Sequence, residues 1–242
     1  MVVLVRPEGP INVGSVARLC SNVGALALRL VQPRVELNDP LLRQFAASGG
    51  EVLASTTVHA SLADAVADCD FVLGTAGKRR RRGLVPHLAP HELGEVLVER
   101  SPRHLAVVFG NEKDGLDNDE LERCQAYVWL QTPGPNPSFN LSHAAAVVLY
   151  FAAVAAPKPS PKRRAATQAE LEGLYDAWLV LLHDAGFFRR MNAVRFAPKL
   201  RALWGRLGLS GQDVALLRSM VSHLGSHLGL TVPKGPRTVV ER

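Results

Sequence analysis

Three short stretches of this 242-residue chain combine residue types that can hold a small molecule or steer a proton. The first is Asn12-Val13-Gly14-Ser15-Val16-Ala17-Arg18, with Asn22 and Gly24 beyond it. On a helix, Val13, Val16, Ala17 and Cys20 share one face, while Ser15, Arg18 and Asn22 share the opposite one. Asn12 reads as a helix N-cap or as a site residue, and Gly24 as a helix stop. Arg18 reads as a surface cation or as a cation beside the carboxyl end of a strand, where α/β proteins take ligands. The second stretch is Val107-Val108-Phe109-Gly110-Asn111-Glu112-Lys113-Asp114-Gly115-Leu116. Two glycines around a carboxylate, directly after an apolar run, let backbone approach a ligand closely or simply turn a loop. The third, Pro137-Ser138-Phe139-Asn140-Leu141-Ser142-His143-Ala144, enters an apolar helix through Ser and Asn positions suited to capping. His143 there reads as a structural residue or as one that touches substrate. No G-x-G-x-x-G follows the first strand and no G-x-x-x-x-G-K-S/T occurs, so dinucleotide and P-loop chemistry lose their usual support.

These stretches need a scaffold that sets each at the end of a strand. Apolar runs predict strands at Val2–Val5, Leu26–Val31, Cys69–Leu73, Leu105–Phe109 and Ala126–Leu130, with a weaker candidate at Glu51–Val58. Gly74-Thr75-Ala76-Gly77 reads as the turn after Leu73. Helical spacing predicts helices near 13–23, 62–67, 90–99, 118–124 and 140–155. Strands without polar alternation, alternating with helices, indicate an α/β layer with a mostly parallel sheet. After the proline-rich stretch that follows residue 156 the pattern is helical. Thr167 with Glu170, and Ser210 with Asp213, make capping boxes. Gly186 ends the first helix, and the second spans 193–207. Phe196, Leu200, Leu203 and Leu207, and then Val214, Leu217, Val221 and Leu224, form stripes expected to be core. The organisation expected is 1–156, an α/β domain; 157–167, a basic linker; 168–231, a helical extension; and 232–242, a flexible tail.

Composition narrows the function. The formal charge is +6 and hydrophobic residues make up 47% of the chain, enough to bury a core. Residues 1–156 hold 14 Lys and Arg against 16 Asp and Glu, whereas 157–242 hold 14 against 6, a net of +8. Five cations run consecutively at Lys78-Arg79-Arg80-Arg81-Arg82, a pattern that suits a solvated loop or a phosphate-facing patch. Nucleic acid is thereby the favoured partner. Cys20, Cys69 and Cys124 are widely spaced and odd in number, which argues against a disulfide framework or a metal site and for a reducing cytoplasm. The apolar run from Ala144 is too short to span a bilayer, and no signal peptide is expected.

In their order along the chain, N-x-G-x-x-A-R, F-G-N-E-x-x-G-L and S-F-N-L-S resemble the three motifs of the SpoU/TrmH branch of the SPOUT methyltransferases. The helical extension, through Ala185-Gly186-Phe187-Phe188 and Lys199-Leu200-Arg201-Ala202-Leu203-Trp204, resembles the C-terminal extension of TrmJ-type tRNA methyltransferases. The resemblance implies a parallel α/β sheet closed by a C-terminal trefoil knot, a homodimer, and methyl transfer from S-adenosylmethionine to a ribose 2′-hydroxyl of RNA. The implied target is the first nucleotide of the tRNA anticodon loop, C or U at position 32. Ribosomal RNA, or RNA binding without catalysis, are the alternatives.

By the same resemblance, Thr75, Ala76 and Gly77, then Gly110 and Glu112, then Leu130, Pro137, Ser138, Phe139 and Asn140 hold the cofactor. Arg18, Asn12 and Ser138 act on the substrate hydroxyl, and Arg18 with Lys78, Arg79, Arg80, Arg81 and Arg82 meets RNA. Ala76-Gly77 and Phe139 depart from the commoner Ser-Ala and Leu of relatives, which concerns pocket shape rather than cofactor class.

Overall fold

The computed structural model describes residues 1–25, 27–77, 85–154, 164–190 and 193–230. They form two units, Met1–Pro161 and Lys162–Arg242. In the first, β1 (Val2–Val5) leads to α1 (Pro10–Val23), β2 (Leu28–Val31), α2 (Pro40–Ala46), α3 (Gly50–Ala54) and β3 (Thr57–His59). Next come α4 (Leu62–Ala65), β4 (Phe71–Ala76), β5 (His87–Leu88), α5 (Leu93–Arg100) and β6 (Leu105–Phe109). The unit closes with α6 (Asn118–Glu122), β7 (Ala126–Trp129) and α7 (Leu141–Val154). The strands pair in parallel in the order β3-β2-β1-β6-β4-β7-β5.

The central strands β1 and β6 are apolar at every position because both sheet faces are covered there. Val2 and Leu4 pack with Val13, Val16, Ala17 and Cys20 of α1 and with Ala145 and Val148 of α7. Val3 and Val5 point the other way, toward Leu62, Ala65 and Leu121. The three cysteines are free and buried, and burial pushes the Cys20 thiol up to about 11.

Local departures from the sequence expectations have physical causes. Residues 51–54 are helical rather than extended: Ser55 and Thr56 hydroxyls donate to the Glu51 and Val52 carbonyls, closing a short turn that four helix-compatible residues can adopt. Gly74, Thr75 and Ala76 are not a turn but the end of β4, paired with Tyr127, Val128 and Trp129. Gly74 is there because a Cβ would sit 2.9 Å from the Cys124 sulfur. Helix α1 begins at Pro10, so Asn12 lies inside it and does not cap it; Gly24, at φ +70°, ends it.

The second unit packs α8 (Gln168–Asp184), α9 (Ala193–Leu207) and α10 (Gly211–His227) around Leu171, Leu174, Leu200, Trp204 and Val214. Both capping boxes form. Ala166 N donates to Leu209 O at 2.8 Å and Gly211 N to Arg164 O at 3.1 Å, so the starts of α8 and α10 are tied together. Of the expected core stripes, Leu203, Leu207 and Leu224 are exposed; on the helical wheel Leu203 and Leu224 lie to the side of the buried positions, and Leu207 is the last residue of α9. No helix among the described residues is long and apolar enough to cross a membrane. The expected tail at 232–242 and most of the linker lie outside the described residues.

Candidate functional site

Strand order explains how distant stretches meet. β4 lies between β6 and β7, so the segments leaving the carboxyl ends of these three strands are neighbours in space although far apart in sequence. They enclose a cavity of about 510 Å³. Thr75, Ala76 and Gly77 form one wall, Phe109 through Leu116 the second, and Leu130, Ser138, Phe139, Leu141 and Ala144 the third.

The second wall is built by backbone folding tightly on itself. A Cβ on Gly110 would lie 1.9 Å from the carbonyl carbon of Gly115, so no larger residue fits. Asn111, which is buried, accepts at Oδ1 from the backbone N–H groups of Lys113 (2.9 Å) and Asp114 (2.7 Å). Its carbonyl accepts from Gly115 N at 3.1 Å, and Gly115 adopts φ +69°, a left-handed conformation suited to glycine. On the first wall, Thr75 Oγ1 donates to the Val108 carbonyl at 3.0 Å, clamping β4 to β6 below the cavity.

Glu112 joins this loop to α1. Its Oε1 accepts from Gly9 N (2.9 Å) and Asn12 Nδ2 (2.9 Å), and its Oε2 accepts from Glu8 N (3.0 Å). Gly9 precedes α1 and supplies no side-chain cap; a carboxylate from another loop instead pins the Glu8 and Gly9 amides that lead into the helix, a place favoured also by the helix dipole. Burial would raise the Glu112 pKa, but the hydrogen bonds from Asn12 and from the Glu8 and Gly9 amides outweigh it and hold the carboxyl below its ordinary value. The chain of bonds continues. Asn12 Oδ1 accepts from Asn140 Nδ2 at 3.1 Å, and Asn140 Oδ1 accepts from Ser142 N at 2.9 Å, capping the start of α7. A carboxylate that only accepts and a helix start that only donates thus fix both amide orientations between them. All three sequence motifs meet in this one relay.

Of the residues singled out from the sequence, Thr75, Ala76, Gly77, Gly110, Glu112, Leu130, Ser138 and Phe139 line the cavity. Asn12 and Asn140 stand behind it in the relay, while Pro137 is exposed on the loop leading to Ser138. Arg18 is exposed on α1 and outside the cavity lining. Six residues beyond Asn12, it lies about 9 Å further along the helix axis. His143 is exposed in the first turn of α7, also outside the lining. Lys78, Arg79, Arg80, Arg81 and Arg82 lie outside the described residues. Gly115, the second of the two glycines around Glu112, shapes the second wall together with Asn111, to which the sequence reading gives no role. The signal was an Asn four residues before a Gly, the pattern of a side chain closing a turn.

Charges around the rim are mostly paired. Arg6 bonds Glu120 through both terminal nitrogens and reaches Asp117 at 3.4 Å. Glu8 takes Arg34 at 2.7 Å and Lys113 at 2.9 Å, bridging the loops after β2 and β6. The cavity itself combines apolar side chains with exposed peptide edges, a surface that can hold a flat heterocycle edge-on.

Comparison with known proteins adds an independent line. The sequence profile of the SpoU rRNA Methylase family matches residues 1–150, and that of the tRNA methyltransferase TrmJ, C-terminal domain, matches residues 169–231. The tRNA (cytidine/uridine-2'-O-)-methyltransferase TrmJ of Cronobacter sakazakii is 31% identical over 93% of this chain and 95% of its own. Among solved structures, TrmJ from Z. mobilis ZM4 superposes with a TM-score of 0.79 at 27% identity, covering 92% of this chain and 97% of that one. A probable methylase family protein from Haemophilus influenzae Rd KW20 gives a TM-score of 0.59 at 26% identity, covering 94% and 96%.

Proposed function

The chain belongs to the SpoU rRNA methylase family, in its TrmJ group, and from that premise we infer that it is a tRNA 2′-O-methyltransferase using S-adenosylmethionine. The observation that carries the reading is the convergence of the segments after β4, β6 and β7 on one cavity.

The cavity suits this cofactor. Its volume of about 510 Å³ is that of a small-molecule site, and Leu130, Leu141 and Ala144 offer apolar walls to an adenine. Backbone at Gly77 and Gly110 offers donors and acceptors, and a cofactor without phosphates needs no glycine-rich cradle. Thr75, Ala76, Gly77, Gly110, Glu112, Leu130, Pro137, Ser138, Phe139 and Asn140 are assigned to it, with Glu112 and Asn140 acting through the relay that holds the walls. When bound, it supplies an electrophilic methyl group on a sulfonium.

Because charge is neutralised in such a transfer, the protein's task is chiefly to position the reacting atoms. Ser138, exposed at the cavity, orients the ribose or the cofactor. Asn12 acts from behind through the relay. Arg18 keeps its proton at any ordinary pH, so its role is to clamp an RNA phosphate and aim the hydroxyl, with the phosphate helping to receive the proton. In one copy Arg18 lies outside the cavity lining, so the RNA or a second copy must span the distance.

A homodimer belongs to the same proposal. Tyr150, Phe151 and Val154 of α7 and Ile11 of α1 are exposed apolar residues that a second copy would cover. So do the trefoil knot of the family, residues 1–156 as the catalytic domain, 157–167 as a linker, 168–231 as the RNA-gripping extension with 232–242 as its tail, and action in the cytoplasm. Lys78 through Arg82 are assigned to RNA.

The test is incubation with S-adenosylmethionine and transcribed tRNA, followed by mass-spectrometric mapping of the methylated ribose. Methylation at position 32 is expected. Transfer to ribosomal RNA alone would overturn the tRNA reading, and no transfer to either would overturn the enzymatic one.

A further inference from the structure

Charge is segregated between two helices of the second unit. α8 carries Glu170, Glu172, Asp176 and Asp184 and no Lys or Arg, while α9 carries Arg195, Lys199, Arg201 and Arg206 and no acid. The four cations of α9 do not behave alike. Arg201 turns inward: its Nη2 donates to Glu172 Oε2 at 2.8 Å, and its guanidinium lies 5.6 Å from the centre of the Tyr175 ring. The other three are exposed. At about 100° per residue, Arg206 and Lys199 lie within roughly 40° of Arg195 around the helix. Trp204, buried against α8, lies about 180° away from Arg195 on the same wheel. The three cations therefore crown the pole opposite the core, along about 16 Å of helix.

We propose that this pole of α9, through Arg195, Lys199 and Arg206, is the track on which the second unit carries the phosphate backbone of tRNA. The inference rests on the reading of the chain as a tRNA-modifying enzyme and names the surface that reading requires. Charge complementarity favours a polyanion. The pole holds cations and Ala202 but no aromatic side chain to stack on a base, so it grips backbone and carries no sequence readout. A face opposite the core can also change its charge without disturbing packing.

The experiment uses the full chain with Arg195→Gln, Lys199→Gln and Arg206→Gln combined, beside a charge-preserving R195K/R206K variant. tRNA binding is measured across a series of salt concentrations, cofactor binding by calorimetry, and folding by circular dichroism. At about 0.9 per phosphate contact or somewhat less, three lost contacts should reduce the slope of log K against log salt by about 2 to 3. Affinity at moderate salt should fall at least tenfold, with cofactor affinity and helix content unchanged, and R195K/R206K should keep the parental slope. An unchanged slope in the triple variant would overturn the proposal. So would loss of binding to anionic phosphatidylserine vesicles with tRNA binding intact, which would make the face a membrane contact. A parent that binds tRNA steeply with salt, in a manner the triple variant loses, yet transfers no methyl group would sink the enzymatic reading and leave the track standing.

Discussion

The cavity of the first unit and the outer pole of α9 use polar residues in opposite ways. Around the cavity, Glu112, Asn111 and Thr75 direct their hydrogen bonds into the scaffold, so that backbone rather than side chain forms much of the wall. On α9, Arg195, Lys199 and Arg206 are exposed, and the starts of α8 and α10 are closed by their own capping boxes. The difference follows from what each must recognise. A small rigid ligand is selected by shape, which needs atoms held to fractions of an ångström. A phosphate backbone is met by long side chains whose geometry adjusts on contact. Substitutions at the cavity should therefore change stability and ligand binding together, whereas those of Arg195, Lys199 and Arg206 on the outer pole of α9 should change RNA binding alone.

The largest effect is expected at Gly110. In Gly110→Ala the new methyl meets the carbonyl carbon and oxygen of Gly115 and the Leu116 nitrogen within 2.3 Å, and backbone atoms cannot step aside by changing rotamer. Cofactor affinity should fall more than tenfold and the melting temperature should drop, with a cost of about 1–3 kcal/mol or above for overpacking. Calorimetry and thermal melts on the same preparation check this. Parental values in both would break the contrast, because the wall would then be pliable. Gly77→Ala is the milder companion: its methyl would lie 3.2 Å from the Ser138 Cβ, a side chain on an exposed loop that can yield.

Glu112→Gln comes next. The amide offers one acceptor oxygen where the carboxylate satisfied three donors, leaving part of the α1 start unpaired at a cost of about 1–3 kcal/mol. Because the folded state holds the Glu112 pKa below its ordinary 4.5, its contribution is complete above that value and is lost as pH falls through the lowered one. The gap in melting temperature between parent and variant should therefore be wide at neutral pH and narrow under acid. Cofactor affinity should weaken with it. A variant with lower stability and parental affinity would separate the two properties that the cavity is argued to join.

Where sequence reading succeeded, the signal was local or was a property of burial on both sides. Val2–Val5 and Leu105–Phe109 are legible as sheet because four or five apolar residues in a row suit a strand covered on both faces. Thr167 with Glu170 and Ser210 with Asp213 are legible because capping is settled within three residues. Failures trace to long-range contacts. A glycine that relieves crowding against Cys124, such as Gly74, cannot be told from a turn glycine without knowing what it faces. The 3.6-residue period identifies a stripe on α9 but not that α8 covers Leu200 and leaves Leu203 and Leu207 in water. Most of the cavity lining was within the three motifs, whereas the Glu112–Asn12–Asn140 relay depends on strand order, which no single motif contains.

The smallest expected effect supplies a control for the contrast. Arg29 in β2 holds Asp68 through two bonds of 2.6 and 2.8 Å, and also donates to the Ala65 carbonyl at 2.7 Å. This pair belongs to the first unit but not to the cavity. The Arg29 hydrogen bonds hold the Asp68 carboxyl down at about 2, against an ordinary 3.8. Its contribution is complete above the ordinary value and lost as pH falls from there toward about 2. The Asp68 side chain is 52% exposed, so solvent screening limits the pair to about 0.5–1 kcal/mol. Asp68→Asn should thus lower stability slightly at neutral pH, lose its difference from the parent near pH 2, and leave cofactor and tRNA binding unchanged. Urea melts at neutral and acid pH, with calorimetry at neutral pH, measure all three. If Asp68→Asn instead weakened cofactor binding as much as Glu112→Gln, the loss of any hydrogen-bonded carboxylate of the first unit would suffice, and the relay behind the cavity would have no special part in shaping it.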